Sequence, residues 1–208
     1  MTTKGKDVVP GAPKKLKAHL DKLEKQYGKL QLLKDAPPLE QALFLILREG
    51  NDHKKAQRAL SILQAEYVEW NELRVATPKE IVAVLEDVDL DDLDDKVSRM
   101  LALLSRLFYD FHKKDLNFVR MFEATQRSKI LSTLDPLGKS ILHVLLQYYE
   151  ELHPNPGGTV LSMDAFKELE RLGLVRKTAS ANVAKKMLDD LVEEEDRYRF
   201  QYLIHKGL

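Results

Sequence analysis

Eight lysines, Lys4, Lys6, Lys14, Lys15, Lys17, Lys22, Lys25 and Lys29, stand in the first thirty residues against three acids, a local excess able to neutralise phosphates. The plainer reading of the same run is a solvated helix face. Seven acids between Glu86 and Asp95 invite a cation, but they lack the central glycine and terminal glutamate of a calcium loop, which leaves helix capping and solubility. The histidines, among them His53, His112, His143, His153 and His205, stand too far apart for a two-histidine helical metal pair with a third ligand, so no metal site is expected. Bases could stack on Tyr148-Tyr149 or on Phe108-Tyr109-Asp110-Phe111, yet aromatics at helical spacing ordinarily pack a core, and that role is expected. Ser140 and Ser162 carry hydroxyls that could act as nucleophiles, but the sequence places no histidine or acid to activate either one.

The elements that must position these residues read as helices throughout. At 44% hydrophobic, the 208 residues suffice for one substantial core or two small lobes. Lys plus Arg and Asp plus Glu total 33 each, so net charge argues for neither a nucleic-acid nor a membrane partner, and any electrostatic footprint is local. The absence of cysteine rules out disulfides, cysteine-ligated zinc and iron-sulfur ligation within these residues. With no apolar run long enough to span a bilayer and no apolar leader at the start, a cytoplasmic protein without membrane contact is expected.

Residues 1–13 read as a flexible basic arm, and residues 14–208 as a helical domain of two interleaved lobes. Leu16, Leu20, Leu23, Tyr27 and Leu30 mark an amphipathic helix beginning at Lys14. Pro38 opens a second helix, so apolar from Leu39 to Leu47 that it should be buried on most sides. A helix over Ala56–Tyr67 follows, then a turn at Trp70–Leu73, then a capping box of Thr77 and Glu80 that starts a helix running through Leu85. After Asp95 comes a long helix carrying Val97, Met100, Leu101, Leu104, Leu107 and Phe108, with the preceding acids at its positive end. Helices over Phe118–Leu131 and Lys139–Leu152 flank a hairpin at Leu134–Gly138. A Pro- and Gly-bearing loop at His153–Gly158 precedes helices over Met163–Leu172, Ala181–Leu191 and Glu195–Gly207.

Three stretches carry a family resemblance: Arg171-Leu172-Gly173-Leu174-Val175, then Glu195-Asp196-Arg197-Tyr198-Arg199-Phe200, then Leu203-Ile204-His205-Lys206-Gly207-Leu208. In order, spacing and residue type they resemble the C-terminal part of endonuclease III. Leu134-Asp135-Pro136-Leu137-Gly138-Lys139-Ser140-Ile141-Leu142 stands where that family has its LPGVGRKTA helix-hairpin-helix signature, and the likeness extends over roughly residues 14–208. The resemblance implies an all-α, two-lobed helix-hairpin-helix DNA glycosylase fold with an interlobe cleft, the hairpin near 134–139.

The same alignment shows departures wherever the family does chemistry. The family's aspartate, whose charge supports the cation developing on the extruded nucleotide's sugar, corresponds to Ser162, with Asp164 two residues on. Its Schiff-base lysine corresponds to Ser140, while Lys139 one position earlier points about 100° away on a helix. Pro136 replaces the hairpin's first glycine and removes an N–H from the turn that holds DNA phosphate through Leu137, Gly138 and Lys139. Glu49 falls where the family inserts a glutamine near the target base, and Leu208 stands just before the position of the first cluster cysteine. The resemblance therefore implies a repair-related protein without an iron-sulfur cofactor, binding double-stranded DNA or a protein partner and doing no catalysis. The alternative is an active DNA N-glycosylase and AP lyase that uses shifted residues, Asp164 or Lys139.

Overall fold

The computed structural model describes residues 9–33, 35–152, 157–176 and 178–207. The first eight residues of the expected arm, with Lys4 and Lys6, and His153–Pro156 of the expected loop lie outside them. Among the described residues are eleven α-helices, α1 to α11 in chain order, joined by turns that include four of 3-10 type, and no strand. None of the described helices is long and apolar enough to cross a membrane. The chain divides into a continuous unit, Gln31–Leu145, and a second unit made from its two ends, Met1–Leu30 and Leu146–Leu208.

The continuous unit is organised on α2 (Pro38–Arg48). Pro38 occupies the first turn, where a missing N–H costs nothing, and every apolar side chain from Leu39 to Leu47 is buried. A helix this apolar has no wet side, and it packs against both α3 (His53–Glu66) and α6 (Leu93–Phe111). Asp52 caps α3 by accepting the Lys55 N–H at 2.9 Å. The expected capping box of Thr77 and Glu80 opens α5 (Pro78–Leu85). Asp94 and Asp95 lie in the first turn of α6, where they complement the helix dipole. No group of three or more His, Cys, Asp or Glu poised for a metal occurs among the described residues.

Three expectations fail in this unit. Trp70–Leu73 is not a turn but the start of α4 (Trp70–Val75), because Leu73 is fully buried and the Glu72 carboxylate accepts the Val68 N–H at 2.8 Å, closing the helix entry. The helix expected over Phe118–Leu131 is broken: a 3-10 turn at Asn117–Met121 passes into an extended Phe122, and α7 (Ala124–Ser132) starts afresh. Phe118 stacks between Phe111 and Phe122, at 5.7 and 6.4 Å between ring centres, which draws the segment back over the end of α6. Phe108 and Tyr109 are not core residues either, being 37% and 65% exposed, and the Arg74 guanidinium covers the Phe108 ring at 4.0 Å. The core role holds for Tyr149, which is buried.

In the unit built from the chain ends, α1 (Ala12–Tyr27) packs its Leu16, Leu20 and Leu23 toward α11 (Arg197–Lys206), which in turn packs on α9 (Met163–Arg171); α10 (Ala181–Leu191) also packs on α9. The helix begins at Ala12 rather than Lys14. Gly11 takes φ 82°, Pro13 fits the first turn, and Ala12 is fully buried, so the end of the expected arm belongs to the core. Arg199 of α11 binds Asp21 at 2.6 Å and also Glu24, tying the two ends of the chain. The helix α8 (Gly138–Glu151) starts in the continuous unit and finishes in this one.

Candidate functional site

The hairpin is held by the helix it follows and by α6. Leu131, Leu134 and Leu137 are buried at three-residue spacing, and this fixes the turn against the unit's core. A 3-10 turn at Asp135–Leu137 leads to Gly138, whose φ of 70° is left-handed and whose N–H donates to the Asp135 carbonyl, and α8 begins there. Two arginines spaced by two turns of α6 satisfy the hairpin's carbonyls. Arg99 donates to the carbonyls of Pro136 and Leu137 at 2.9 and 3.2 Å, and Arg106 donates to the Thr133 carbonyl at 2.9 Å while pairing with the Asp135 carboxylate at 3.0 Å. The carbonyl side of the hairpin is thus spent internally, and the N–H groups of the first turn of α8 point out of the helix start.

Glu49 does not reach out from its loop. At the C-cap of α2, its carboxylate meets Arg99 at 2.5 Å with both side chains largely buried, and it also accepts the Ser140 hydroxyl at 3.4 Å. Its charge is met by the Arg99 guanidinium rather than left uncompensated. Ser140 is only 5% exposed and faces this carboxylate, whereas Lys139 is exposed, so the two neighbours do point different ways. Lys96 lies close by, and burial holds its ammonium below the usual lysine range, with Asp92 and Glu49 drawing it back up.

The other altered position lies in the unit built from the chain ends. Ser162 is the N-cap of α9, accepting the Ala165 N–H at 3.0 Å, and its hydroxyl lies 2.8 Å from Nε2 of His205. The His205 Nδ1 is 2.8 Å from the Gln201 carbonyl, which can only accept, so Nδ1 carries the proton and Nε2 accepts from Ser162. The reading that no histidine attends Ser162 is therefore corrected, as is the reading that no acid attends Ser140. Asp164 sits half-buried in the first turn of α9.

Several contacts fix the approach to Ser162. Gln147 of α8 accepts the Val160 N–H at 2.8 Å and donates to the Gly158 carbonyl at 3.2 Å, Gln201 donates to the Val160 carbonyl at 2.6 Å, and Asp189 accepts the Thr159 N–H at 2.6 Å. Beyond α9, Arg171-Leu172-Gly173-Leu174-Val175 is a helix stop: Gly173 at φ 66° lets the Leu174 N–H return to the Leu169 carbonyl at 2.9 Å, while Leu174 and Val175 are buried. Arg171 holds the buried Glu168 with two hydrogen bonds of 2.6 Å each. These bonds keep the Glu168 carboxyl below the usual glutamate range, against the opposing effect of its burial.

No protein-family model matches the sequence, and no curated protein matches it. Among solved structures, an endonuclease III trapped as a covalent intermediate with DNA, in an estranged-adenine complex, matches with a TM-score of 0.52 and 13% identity, over 92% of this chain and 84% of that one. An 8-oxoguanine glycosylase/lyase of Clostridium acetobutylicum, bound to double-stranded DNA with cytosine opposite 8-oxoguanine, gives a TM-score of 0.48 and 13% identity over 94% of this chain and 68% of that one. The chain has the all-α, endonuclease III-like helix-hairpin-helix glycosylase fold. The iron-sulfur cluster that the resemblance brings with it finds no thiolate among these 208 residues, so the donor set does not fit it.

Proposed function

We propose that this chain is a DNA-binding module on a base-excision-repair scaffold that does no glycosidic chemistry. One observation carries the reading. At the position of the family's lysine, a buried serine faces a carboxylate already committed to Arg99. That position offers no amine to attack a sugar, and the ammonium of nearby Lys96 is spent on the Asp91 carbonyl at 2.6 Å. Ser162, at the aspartate's position, spends its hydroxyl on a helix cap and on His205 and brings no charge. The phosphate-facing part of the hairpin is retained in principle, since Leu137, Gly138 and Lys139 still lead into a helix start. A DNA partner also agrees with the cytoplasmic setting expected from the sequence.

The test is anisotropy of a labelled duplex carrying an abasic-site analogue and of its undamaged twin, at low and at physiological salt, with strand cleavage scored in parallel. The expected result is binding that persists at physiological salt, favours the abasic duplex and leaves both strands intact. Cleavage would restore the enzyme reading through Lys139 or Asp164. Absence of binding even at low salt would direct the search to a protein partner. A variant carrying Ser140→Lys and Ser162→Asp is expected to excise no base, because the new lysine enters the Glu49–Arg99 pocket. Excision by that variant would refute the account of the pocket.

A further inference from the structure

The lysines of α1 fall into a pattern that the hairpin reading leaves unused. Between residues 12 and 29 there are six lysines and two acids, in a chain whose total charges balance at 33 each. At about 100° per residue, Lys14, Lys25, Lys22 and Lys15 fall within an arc of about 100° around the helix. Ala12, Leu16, Leu20 and Leu23 occupy the opposite side, where they are buried. Lys14, Lys15, Lys22 and Lys25 are all exposed. Alternation with acids would make this an ordinary salt-bridged helix surface. The two acids on the helix, Asp21 and Glu24, are instead both taken by Arg199, which reaches them from α11. The pairing brings a cation to the acids and leaves the lysine arc without their compensation.

We infer that this arc is a second phosphate-binding surface, in the unit that does not contain the hairpin, and that it engages the sugar-phosphate backbone of duplex DNA without reading sequence. The inference rests on the DNA-binding reading above and adds where in the chain, and by what chemistry, further contact is made. From Lys14 to Lys25 the arc runs about 16 Å along the helix at about 1.5 Å per residue. A duplex presents one charge per about 1.7 Å of its axis, so that length passes enough phosphates for each of the four lysines to meet one. Contacts of this kind release counterions, and each steepens the salt dependence of binding by about 0.9 in log K against log salt.

The experiment compares three proteins on one undamaged duplex of about 20 base pairs, by anisotropy across a salt series: the wild type, a variant with Lys14→Gln, Lys15→Gln, Lys22→Gln and Lys25→Gln, and a control with Lys79→Gln, Lys129→Gln, Lys167→Gln and Lys186→Gln, exposed lysines outside the arc that change net charge equally. Circular dichroism confirms that each retains its helices. The arc variant is expected to lose about 3.6 from the slope, so that between about 0.05 and about 0.2 M salt the wild type loses about 150-fold more affinity than the variant does. The control is expected to keep the wild-type slope. A third variant, Arg199→Gln, frees Asp21 and Glu24 beside the arc and is expected to weaken binding at low salt with every lysine in place. Wild-type binding whose slope the arc substitutions leave unchanged overturns the inference and spares the DNA-binding reading. An equal loss from the control substitutions overturns it as well, by showing dependence on total charge alone. A wild type that binds no duplex at low salt overturns both.

Discussion

Replacing Arg99 with methionine tests whether the hairpin is built from behind by α6. The substitution keeps an unbranched chain of similar length and removes the guanidinium. Three hydrogen bonds go with it, to the carbonyls of Pro136 and Leu137 and to the largely buried Glu49 carboxylate, which loses the guanidinium that faced it. Removing one member of a buried ion pair costs about 3–5 kcal/mol, and because Arg99 and Glu49 retain some exposure, at 22% and 16% of their side chains, the lower end applies. A cost of about 3 kcal/mol lowers the melting temperature by about 6–12 °C in a protein of this size. Urea denaturation gives the free energy, and hydrogen exchange at Leu137 and Gly138 reports the hairpin locally. Glu49→Gln, introduced together with Arg99→Met, removes that carboxylate's charge, so the pair of substitutions should cost about 1–2 kcal/mol less than the sum of the single costs. A cost below about 1 kcal/mol for Arg99→Met, or strict additivity with Glu49→Gln, would refute the argument.

Two further outcomes follow from the other unit. Ser162→Ala removes the cap of α9 and the partner of the buried His205 Nε2; about 1 kcal/mol for the cap and a comparable amount for the stranded nitrogen give a loss of about 2 kcal/mol, and urea denaturation showing less than about 0.5 would contradict the assignment. Glu168, held below the usual glutamate range by Arg171, contributes stability that is fully present above its unfolded value and lost as pH falls through the lower folded one. The stability gap between wild type and Glu168→Gln should therefore narrow as pH falls below the usual glutamate range, and a gap that stays constant there would count against the bidentate pair.

What the sequence conveyed well was short-range. The Thr77–Glu80 capping box, the proline start and all-round burial of α2, and the acidic first turn of α6 each depend on residues within a few positions of one another, and each is present. Less visible were elements decided by a distant neighbour. Trp70–Leu73 read as a turn because six residues of helix leave little periodicity, and what makes it helical is the burial of Leu73. The break at Phe122 depends on Phe118, which meets Phe111 at the end of α6 and takes the Phe122 ring edge-on. The sequence singled out Ser140 and Ser162, but not the side chains they meet. Glu49 finds Arg99 across 50 positions and Ser162 finds His205 across 43, separations at which no spacing rule operates. A signal did exist for His205: it stands four residues after Gln201 on an apolar helix end, the register in which Nδ1 can reach the preceding turn's carbonyl and leave Nε2 to accept a proton.

The tie from Arg199 to Asp21 joins residues 178 positions apart, and that distance bears on how the chain is made. Synthesis delivers the first partner 178 residues before the second. Gln31–Leu145 is contiguous and can collapse on α2 as soon as it leaves the ribosome, because its loops are short and their closure costs little entropy. The other unit has no such opportunity. Leu16, Leu20 and Leu23 stay without their cover until α11 has been translated, so the lysines of α1 also serve while the chain is growing, keeping an unpartnered apolar helix in solution until its mate arrives.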